Sequence, residues 1–400
     1  MNGIVSKRWT FAILLTTFFA VGLFSLFRPP SAPAEVFLSK TVRIANPTFR
    51  TVSDPEQPVK GWLFKLRKQG AAVLAPHSGK GAILMAASPK ARGELLSSSF
   101  RLKPFRVVTV TLTWTVELGS PVLFACLRPA KDRFHVDLDF FPRVKPGRTR
   151  TASVTLHAGT WGKDYCIAIA VTGTGAARLT GVKVEKSGFA RRPEKPALVL
   201  DMMRDAPRKD GSLGWPNIMR LATVLGFPSV EHLHFTEFTA EALKKADPSL
   251  IVLSPSSREL NKPDRTKVGA ALRVAARSGL PVVGICLGHQ WFARFHGSRV
   301  VSGKEWGTFR IKVVKDDPLF RGLPRLPFFY ASESHNYMVD RPPSKAVLLA
   351  SSDTIKCQVF RYKGKPWYTF QCHIERGWED DCPEGCVLFK NLVRIFRLAR

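Results

Sequence analysis

The stretch Pro281-Val-Val-Gly-Ile-Cys-Leu-Gly-His-Gln290 decides the fold of the second half of this 400-residue chain. Its first part, Pro281 to Ile285, is a short apolar run that predicts a buried strand, and a helix is predicted directly after it. Cys286 therefore lies at the turn between strand and helix, with Gly284 and Gly288 on either side. Larger flanking side chains would collide in so tight a turn, so the pattern predicts a nucleophile elbow. The helix amino terminus then favours a thiolate.

Predicted strands and helices alternate around this elbow. Ala197 to Leu200 and Leu250 to Leu253 are apolar runs typical of buried strands, whereas Pro216 to Leu225 and Lys267 to Arg277 have the pattern of helices. This alternation predicts a doubly wound α/β domain over residues 197–400, in which helices cover both faces of a parallel sheet. Sites in such domains form at the carboxyl ends of the strands, where Cys286 is expected.

A cysteine nucleophile needs a base, and the segment Phe370-Gln-Cys-His-Ile-Glu375 supplies a candidate. In extended backbone, residues two apart face the same way, so His373 and Glu375 are expected to be aligned, with the carboxylate fixing the orientation of the imidazole. The alternative for His373 is a hydrogen-bonded core histidine with no role in chemistry. A Gly-x-Cys-x-Gly elbow upstream in the same domain favours the catalytic interpretation.

The string Gly284 to Gln290 resembles the nucleophile motif of class I glutamine amidotransferases, and Gln371 to Glu375 resembles a second motif of that family, with Ile374 in place of Pro. The resemblance implies a flavodoxin-like fold for residues 197–400. It also implies a glutaminase or amidotransferase-type hydrolase that works through a catalytic triad of Cys286, His373 and Glu375. No cofactor and no metal are expected for this chemistry.

The resemblance further assigns the groups that would bind the substrate. The oxyanion would be held by the backbone N–H of Leu287 together with that of Ser256 or Ser257. The glutamine would be contacted by Gln290, Asn336 and Tyr337. One departure concerns the oxyanion loop, which reads Ser254-Pro-Ser-Ser-Arg258 where relatives have a Gly-Pro-Gly type of sequence. Loss of one oxyanion donor costs roughly 3 kcal/mol of transition-state stabilisation.

The first half of the chain has short segments in which apolar and polar residues alternate, as in half-buried antiparallel strands. They predict an all-β sandwich over residues 36–188, joined to the α/β domain by a linker at 189–196. The predicted strands are Val107–Val116, Pro121–Leu127, His135–Phe140, Thr151–His157, Asp164–Val171 and Ala177–Val184. The layout faintly resembles jelly-roll carbohydrate-binding modules, in which Trp62, Trp114 and Trp161 would stack on a polysaccharide. The alternative is that these residues belong to the core.

Residues 9–27 form an uncharged apolar run that would span roughly 29 Å as a helix, enough to cross a bilayer. A basic tail, residues 1–8, precedes it, and a Pro-rich linker, residues 28–35, follows it. A cleaved signal peptide competes with an uncleaved anchor. The length of the run favours a single-pass membrane anchor, and the charges of the tail favour placement of the folded domains on the non-cytoplasmic side.

Composition adds two further expectations. The formal charge of +30 will attract anionic surfaces, but the basic residues form no recognisable reading motif, so no specific nucleic acid is expected as a partner. The chain has seven cysteines, and a hairpin at Gly364-Lys365 would bring Cys357 opposite Cys372. A disulfide and a pair of reduced core thiols are both compatible with that register.

These observations leave two hypotheses for function. In the first, a membrane-anchored enzyme hydrolyses the γ-amide of glutamine, or of a γ-glutamyl compound, through a thioester on Cys286. Because no phosphate-binding loop is apparent in the sequence, the ammonia would then pass to a synthase on a partner chain or be released. In the second, a non-catalytic membrane-tethered scaffold reuses the amidotransferase fold to hold a binding partner.

Overall fold

The computed structural model describes residues 62–68, 71–74, 81–130, 136–160, 163–202, 217–218, 222, 225–256, 262–376 and 382–399. Within these ranges no helix has the length and apolar character needed to span a membrane. The predicted anchor at 9–27 and its flanking segments lie outside the described residues. The described chain forms two nine-stranded sheets.

The first sheet is built from the amino-terminal half of the chain. Its strands are β1 (Leu63–Lys68), β2 (Ala71–Leu74), β3 (Ala82–Leu96), β4 (Phe100–Leu102), β5 (Arg106–Gly119), β6 (Val122–Pro129), β7 (Asp137–Phe140), β8 (Thr149–His157) and β9 (Lys163–Phe189). All pairings between them are antiparallel. The prediction of a β-rich domain is therefore confirmed.

The long strand β9 differs from the prediction. The predicted strands Asp164–Val171 and Ala177–Val184 are two parts of this single 27-residue strand, which continues through Gly173 and Gly175. Its first part pairs with β6, its last part pairs with β5, and β3 pairs along its middle. Because β9 connects both groups of strands, the hydrogen bonds form one continuous network instead of the two separate sheets of a predicted sandwich.

The tryptophans proposed to stack on a polysaccharide lie in the core. Trp62 and Trp114 are 1% and 2% exposed, and the ring of Trp114 packs on that of Phe141 at 5.4 Å. A buried indole has no free face for a sugar, so the predicted sugar-binding platform is wrong for these two residues. Trp161 lies outside the described residues.

The second sheet is built from the carboxyl-terminal half, in the spatial order β11-β10-β12-β13-β18-β17-β16-β14-β15. The five strands from β11 to β18 are parallel and the remaining neighbours are antiparallel. The strands are β10 (Ala197–Asp201), β11 (Val230–His234), β12 (Leu250–Leu253), β13 (Val282–Ile285), β14 (Val300–Val313), β15 (Phe328–Val339), β16 (Ala346–Ser352), β17 (Val359–Tyr362) and β18 (Trp367–Phe370). The helices are α1 (Ala240–Ala246), α2 (Lys262–Arg277), α3 (Leu287–Phe295) and α4 (Glu384–Ile395).

The central strands β10, β12 and β13 are buried at every position, as a parallel sheet covered on both faces requires. The predicted doubly wound arrangement is confirmed by these strands, and α2 begins five residues before the predicted start. Of the predicted helix Pro216–Leu225, residues 217, 218 and 222 are helical, and most of the others lie outside the described residues. The antiparallel half of the sheet has no counterpart in the sequence prediction.

The two halves of the chain share a core. Buried residues of the first sheet, such as Trp114, belong to the same apolar cluster as Val252 and Val387 of the second half. A buried ion pair crosses the junction, because Lys390 on α4 donates to Asp137 Oδ1 on β7 at 2.8 Å and to the backbone oxygen of Leu138 at 3.1 Å. The β-rich half is thus packed directly against α4.

The hairpin predicted at Gly364-Lys365 is present, since β17 and β18 pair in the register Val359 with Phe370. This register continues until Cys357 and Cys372 are level, yet both thiols are free. The two residues belong to different apolar clusters, one on each face of the sheet, which separates their side chains. Burial raises the pKa of the Cys357 thiol to about 12, as expected of a core thiol.

Candidate active site

Cys286 occupies a strained turn between β13 and α3. Its φ is 50° and its ψ is −105°, a conformation that residues other than glycine rarely adopt. The strain is supported from the neighbouring strand, where the backbone oxygen of Phe370 accepts a 2.8 Å hydrogen bond from the N–H of Cys286. The predicted elbow is therefore present, and Cys286 lies at the carboxyl end of a parallel strand.

The glycines on either side are required by close packing. A Cβ on Gly284 would lie 2.9 Å from Cγ2 of Thr369, and a Cβ on Gly288 would lie 2.4 Å from the backbone oxygen of Leu253. Real Cβ atoms do not approach other atoms so closely. The elbow thus depends on glycine because α3 begins directly against strand β12.

His373 and Glu375 lie at the end of β18, next in the sheet to the strand that carries Cys286. Nδ1 of His373 and Oε1 of Glu375 are 2.7 Å apart, and both residues are buried, at 4% and 0% exposure. The N–H of His373 donates to the backbone oxygen of Ser332 on β15 at 2.9 Å, which anchors this segment. The structure thus joins the base and its orienting carboxylate, as predicted.

The reason for this alignment differs from the prediction. Residues Ile374–Arg376 form a short 3-10 helix, so the chain is not extended between His373 and Glu375. The N–H of Ile374 donates to the backbone oxygen of Cys372 at 3.2 Å, which closes a tight turn. This turn brings the two side chains together, and Ile374, which replaces the proline of relatives, fits within it.

The charges around His373 favour its protonated form. Burial alone would lower the pKa of His373, but the Glu375 carboxylate and then the Cys286 sulfur outweigh it and raise the pKa to about 10. Nε2 of His373 makes no geometric hydrogen bond to the described residues, so the contact with Cys286 is loose, as catalytic hydrogen bonds often are without substrate. Burial lowers the pKa of the nearby His289 to about 3, so that histidine stays neutral.

Gln371 is a site residue to which the sequence pattern assigned no role. Its Nε2 lies 4.0 Å from the Cys286 sulfur, within reach of a weak hydrogen bond to a thiolate. Its Oε1 accepts a hydrogen bond from Nε2 of Gln290 at 3.3 Å. Gln371 lies two residues before His373 in the same motif, and that position was the one available signal.

The predicted oxyanion donors are only partly described. Leu287 is the first residue of α3, where the backbone N–H has no partner inside the helix, and it directly follows the nucleophile. Ser254 is fully buried and its hydroxyl donates to the backbone oxygen of Pro255 at 3.0 Å, which shapes the start of the loop. Ser256 is half-buried at the last described position of the loop, and Ser257 lies outside the described residues.

The three residues predicted to contact glutamine occupy one region beside the elbow. Gln290 is buried, and its Nε2 donates to the backbone oxygen of Tyr337 at 2.6 Å, so it positions that segment of β15. Tyr337 and Asn336 are exposed, and Oδ1 of Asn336 accepts a 3.3 Å hydrogen bond from the exposed indole of Trp306. Gln290 is already engaged within the protein, whereas the other two side chains face solvent.

A cleft of about 880 Å³ lies elsewhere, between α1, α2 and the chain end near Phe396. Its lining includes Ser249 and Pro281, which precede β12 and β13, so it opens at the amino ends of the parallel strands. The elbow lies at the opposite ends of these strands, and the triad does not line this cleft.

These features define an α/β protein with a cysteine nucleophile elbow and a cysteine, histidine and glutamate triad. A family model described as glutamine amidotransferase class-I matches residues 217–384, and this range contains all three triad residues. The chain belongs to the class-I glutamine amidotransferase family, whose members are enzymes.

Similar proteins include glutamine-hydrolyzing subunits of GMP synthase. The one from Sulfolobus acidocaldarius is 34% identical over 161 residues, which are 40% of this chain and 81% of the relative. The protein of the same name from Archaeoglobus fulgidus is 41% identical over 118 residues, which are 29% of this chain and 62% of that relative. These matches leave more than half of the present chain uncovered.

Solved structures give a weaker likeness. A protein from Thermoplasma acidophilum, described as a GMP synthase subunit, aligns with a TM-score of 0.43 and 24% identity, covering 51% of this chain and 94% of that structure. A glutamine amidotransferase from Thermotoga maritima aligns with a TM-score of 0.37 and 24% identity, covering 45% and 76%.

Proposed function

We propose that this protein hydrolyses the γ-carboxamide of glutamine, or of a related γ-glutamyl compound, through a thioester on Cys286. One observation carries the proposal: Glu375 holds the imidazole of His373 at 2.7 Å in a segment whose charge interacts with the Cys286 sulfur. A nucleophile, a base and an orienting carboxylate are the groups that acyl transfer from an amide requires.

The first half of the reaction uses the thiolate and imidazolium pair. The Cys286 sulfur attacks the amide carbon, and the N–H of Leu287 holds the negative charge that develops on the oxygen. The amide C–N bond then breaks, and Nε2 of His373 gives its proton to the departing nitrogen, which leaves as ammonia. A raised pKa suits this step, because His373 carries a proton at neutral pH.

The second half releases glutamate. Once the sulfur is bonded to the acyl carbon it carries no charge, so one of the two groups that raise the pKa of His373 is lost. The neutral imidazole can then take a proton from water as the water oxygen attacks the thioester carbon. Glutamate departs, and the proton on Nε2 restores the starting pair with Cys286.

The fate of the ammonia is the least constrained part of the proposal. Relatives are named as glutamine-hydrolyzing subunits of GMP synthase, which supports an acceptor on a partner polypeptide. We therefore propose that the ammonia passes to a synthase subunit. The exposed side chains of Trp306 and Tyr337 beside the site are available to such a partner.

The test is covalent labelling of the full chain with 6-diazo-5-oxo-L-norleucine, an electrophile that mimics glutamine, followed by peptide mass spectrometry. We expect one adduct, on Cys286, that excess glutamine prevents and that C286S eliminates. Cys372 is a matched control because it is a buried free thiol outside the elbow. A folded protein without an adduct, and without release of ammonia from glutamine, would contradict the proposal.

A second candidate, a scaffold without turnover, is favoured by one observation. The oxyanion loop begins Ser254-Pro255-Ser256, and Pro255 has no N–H to donate. In this case the labelling reagent still reaches Cys286, but glutamine is not consumed. The rate of glutamate formation, compared with that of C286S, separates the two candidates.

We also propose that residues 9–27 anchor the protein to a membrane with its folded domains on the non-cytoplasmic side. The support comes from the uncharged apolar run and the preceding basic tail in the sequence. A topology reporter fused after Arg400 tests this. Reporter activity in the cytoplasm, or recovery of the full chain without detergent, would refute it.

A further inference from the structure

A group of buried side chains next to the triad takes no part in the reaction described above. It consists of Glu305 on β14 and of Glu333 and His335 on β15, exposed by 1%, 1% and 5%. Glu305 and His335 are paired across the two antiparallel strands, and Glu333 is two residues away on the same face. One ligand atom from each of the three lies within 4.8 Å of the others.

The separations within this group are too long and poorly directed for hydrogen bonds. Nε2 of His335 lies 3.2 Å from Oε2 of Glu333 and 3.5 Å from Oε2 of Glu305. Neither Nε2 of His335 nor either oxygen of Glu333 meets hydrogen-bond geometry with any atom of the described residues. A buried carboxylate without such a partner is costly, so its orientation into the group indicates a missing ligand.

The same separations fit a shared metal ion. Zinc bonds to histidine nitrogen and carboxylate oxygen at about 2.0–2.2 Å, which places neighbouring ligand atoms of a tetrahedron about 3.3–3.6 Å apart. The two measured distances lie at or close to that range, and the third needs only a carboxylate rotation within the 4.8 Å limit. Two carboxylates and a neutral imidazole also balance the charge of a divalent ion.

The surroundings orient these groups as outer-shell residues do in metal sites. Nδ1 of His335 lies 3.1 Å from the backbone oxygen of Gly303, which fixes the tautomer that leaves Nε2 free for a metal. Glu305 Oε1 accepts hydrogen bonds from the hydroxyls of Ser352, at 2.6 Å, and Thr354, and its Oε2 accepts one from Gln358 at 2.7 Å. Glu305 is thus held rigidly toward the group.

We propose that Glu305, Glu333 and His335 form a buried binding site for one divalent transition-metal ion, with zinc or manganese as the fitting class. The sequence pattern predicted no metal. The ion would replace a proton on His335 and release it to solvent. Because Ser332, next to Glu333, accepts the backbone hydrogen bond of His373, the ion would stiffen the strand that anchors the catalytic base.

The experiment titrates the purified, chelator-treated full chain with manganese and follows free ion by electron paramagnetic resonance. Manganese suits the test because oxygen and nitrogen ligands bind it in preference to thiolates, which keeps Cys286 out of the measurement. We expect one ion per chain, a higher melting temperature when it is bound, and an affinity at least about 100-fold lower in E333Q and H335Q. E241Q, at an exposed carboxylate on α1, should bind as the unchanged protein does.

Cobalt supplies an independent readout of the ligands. Bound cobalt should show ligand-field bands in the visible spectrum and no thiolate charge-transfer band. The proposal is overturned if the unchanged protein binds no stoichiometric ion. It is equally overturned if folded E333Q and H335Q bind as tightly as the unchanged protein, or if the cobalt spectrum shows thiolate ligation. In those cases His335 is an imidazolium shared by two carboxylates.

Discussion

Gly288→Ala tests the claim that the elbow depends on close packing between α3 and β12. The added Cβ would lie 2.4 Å from the backbone oxygen of Leu253, 2.7 Å from its Cβ and 2.9 Å from its carbonyl carbon. These atoms belong to a strand that is paired on both sides, so they cannot retreat. Instead α3 must move outward by about 1 Å, and it carries Cys286 and the N–H of Leu287 with it.

Two effects follow from this displacement. Overpacking of this kind costs about 1–3 kcal/mol of the free energy of unfolding. Misplacement of reacting groups by about 1 Å costs about 100-fold in kcat/KM. Intrinsic helix propensity acts in the opposite direction, because alanine is favoured over glycine in a helix by about 1 kcal/mol. Packing is therefore expected to decide the sign.

Gly269→Ala is the matched control. Gly269 lies inside α2, and a Cβ there would meet nothing within 4 Å. This variant should gain up to about 1 kcal/mol in stability and keep its rate. Urea denaturation measures the first quantity, and release of ammonia from glutamine or the labelling rate of Cys286 measures the second. If G288A unfolds at the same urea concentration as G269A and reacts as fast, the packing argument is wrong.

Two further predictions concern buried charges. E375Q should lower the pKa of His373 from about 10 by roughly 1–3 units, because burial then acts against one fewer negative charge; an NMR titration, with the resonance assigned through H373Q, measures it, and an unchanged pKa would contradict the assigned causes. K390M should cost about 3–5 kcal/mol in urea denaturation, since it leaves the carboxylate of Asp137 buried and unpaired, whereas K315M, at an exposed lysine, should change little; equal effects would show that the ion pair is unimportant.

The parts of the site that the sequence predicted are local in the chain. The elbow around Cys286 and the pair His373 and Glu375 each occupy a few consecutive residues, so glycine spacing and motif order are sufficient to find them. Even so, the pairing of His373 with Glu375 was predicted from an extended backbone, whereas a 3-10 turn produces it. The residues were correct, and the backbone that aligns them was not.

The parts that the sequence could not predict depend on pairing between distant segments. Glu305 and His335 meet because β14 and β15 are antiparallel in a particular register, which no short motif encodes. The strand β9 runs through Gly173 and Gly175, residues that usually interrupt a strand, because partners on both sides support it. The burial of Trp62 and Trp114 likewise follows from tertiary packing and not from their alternation in sequence.

The single apolar core that joins the β-rich half to α4 limits how this protein could have evolved. A hydrolase module with a closed surface can be exchanged between genes, but here removal of the first half would uncover Val387 and leave Lys390 without its acid. The two halves are therefore expected to be inherited, expressed and degraded together. Recombination at their boundary would yield chains that quality-control proteases remove.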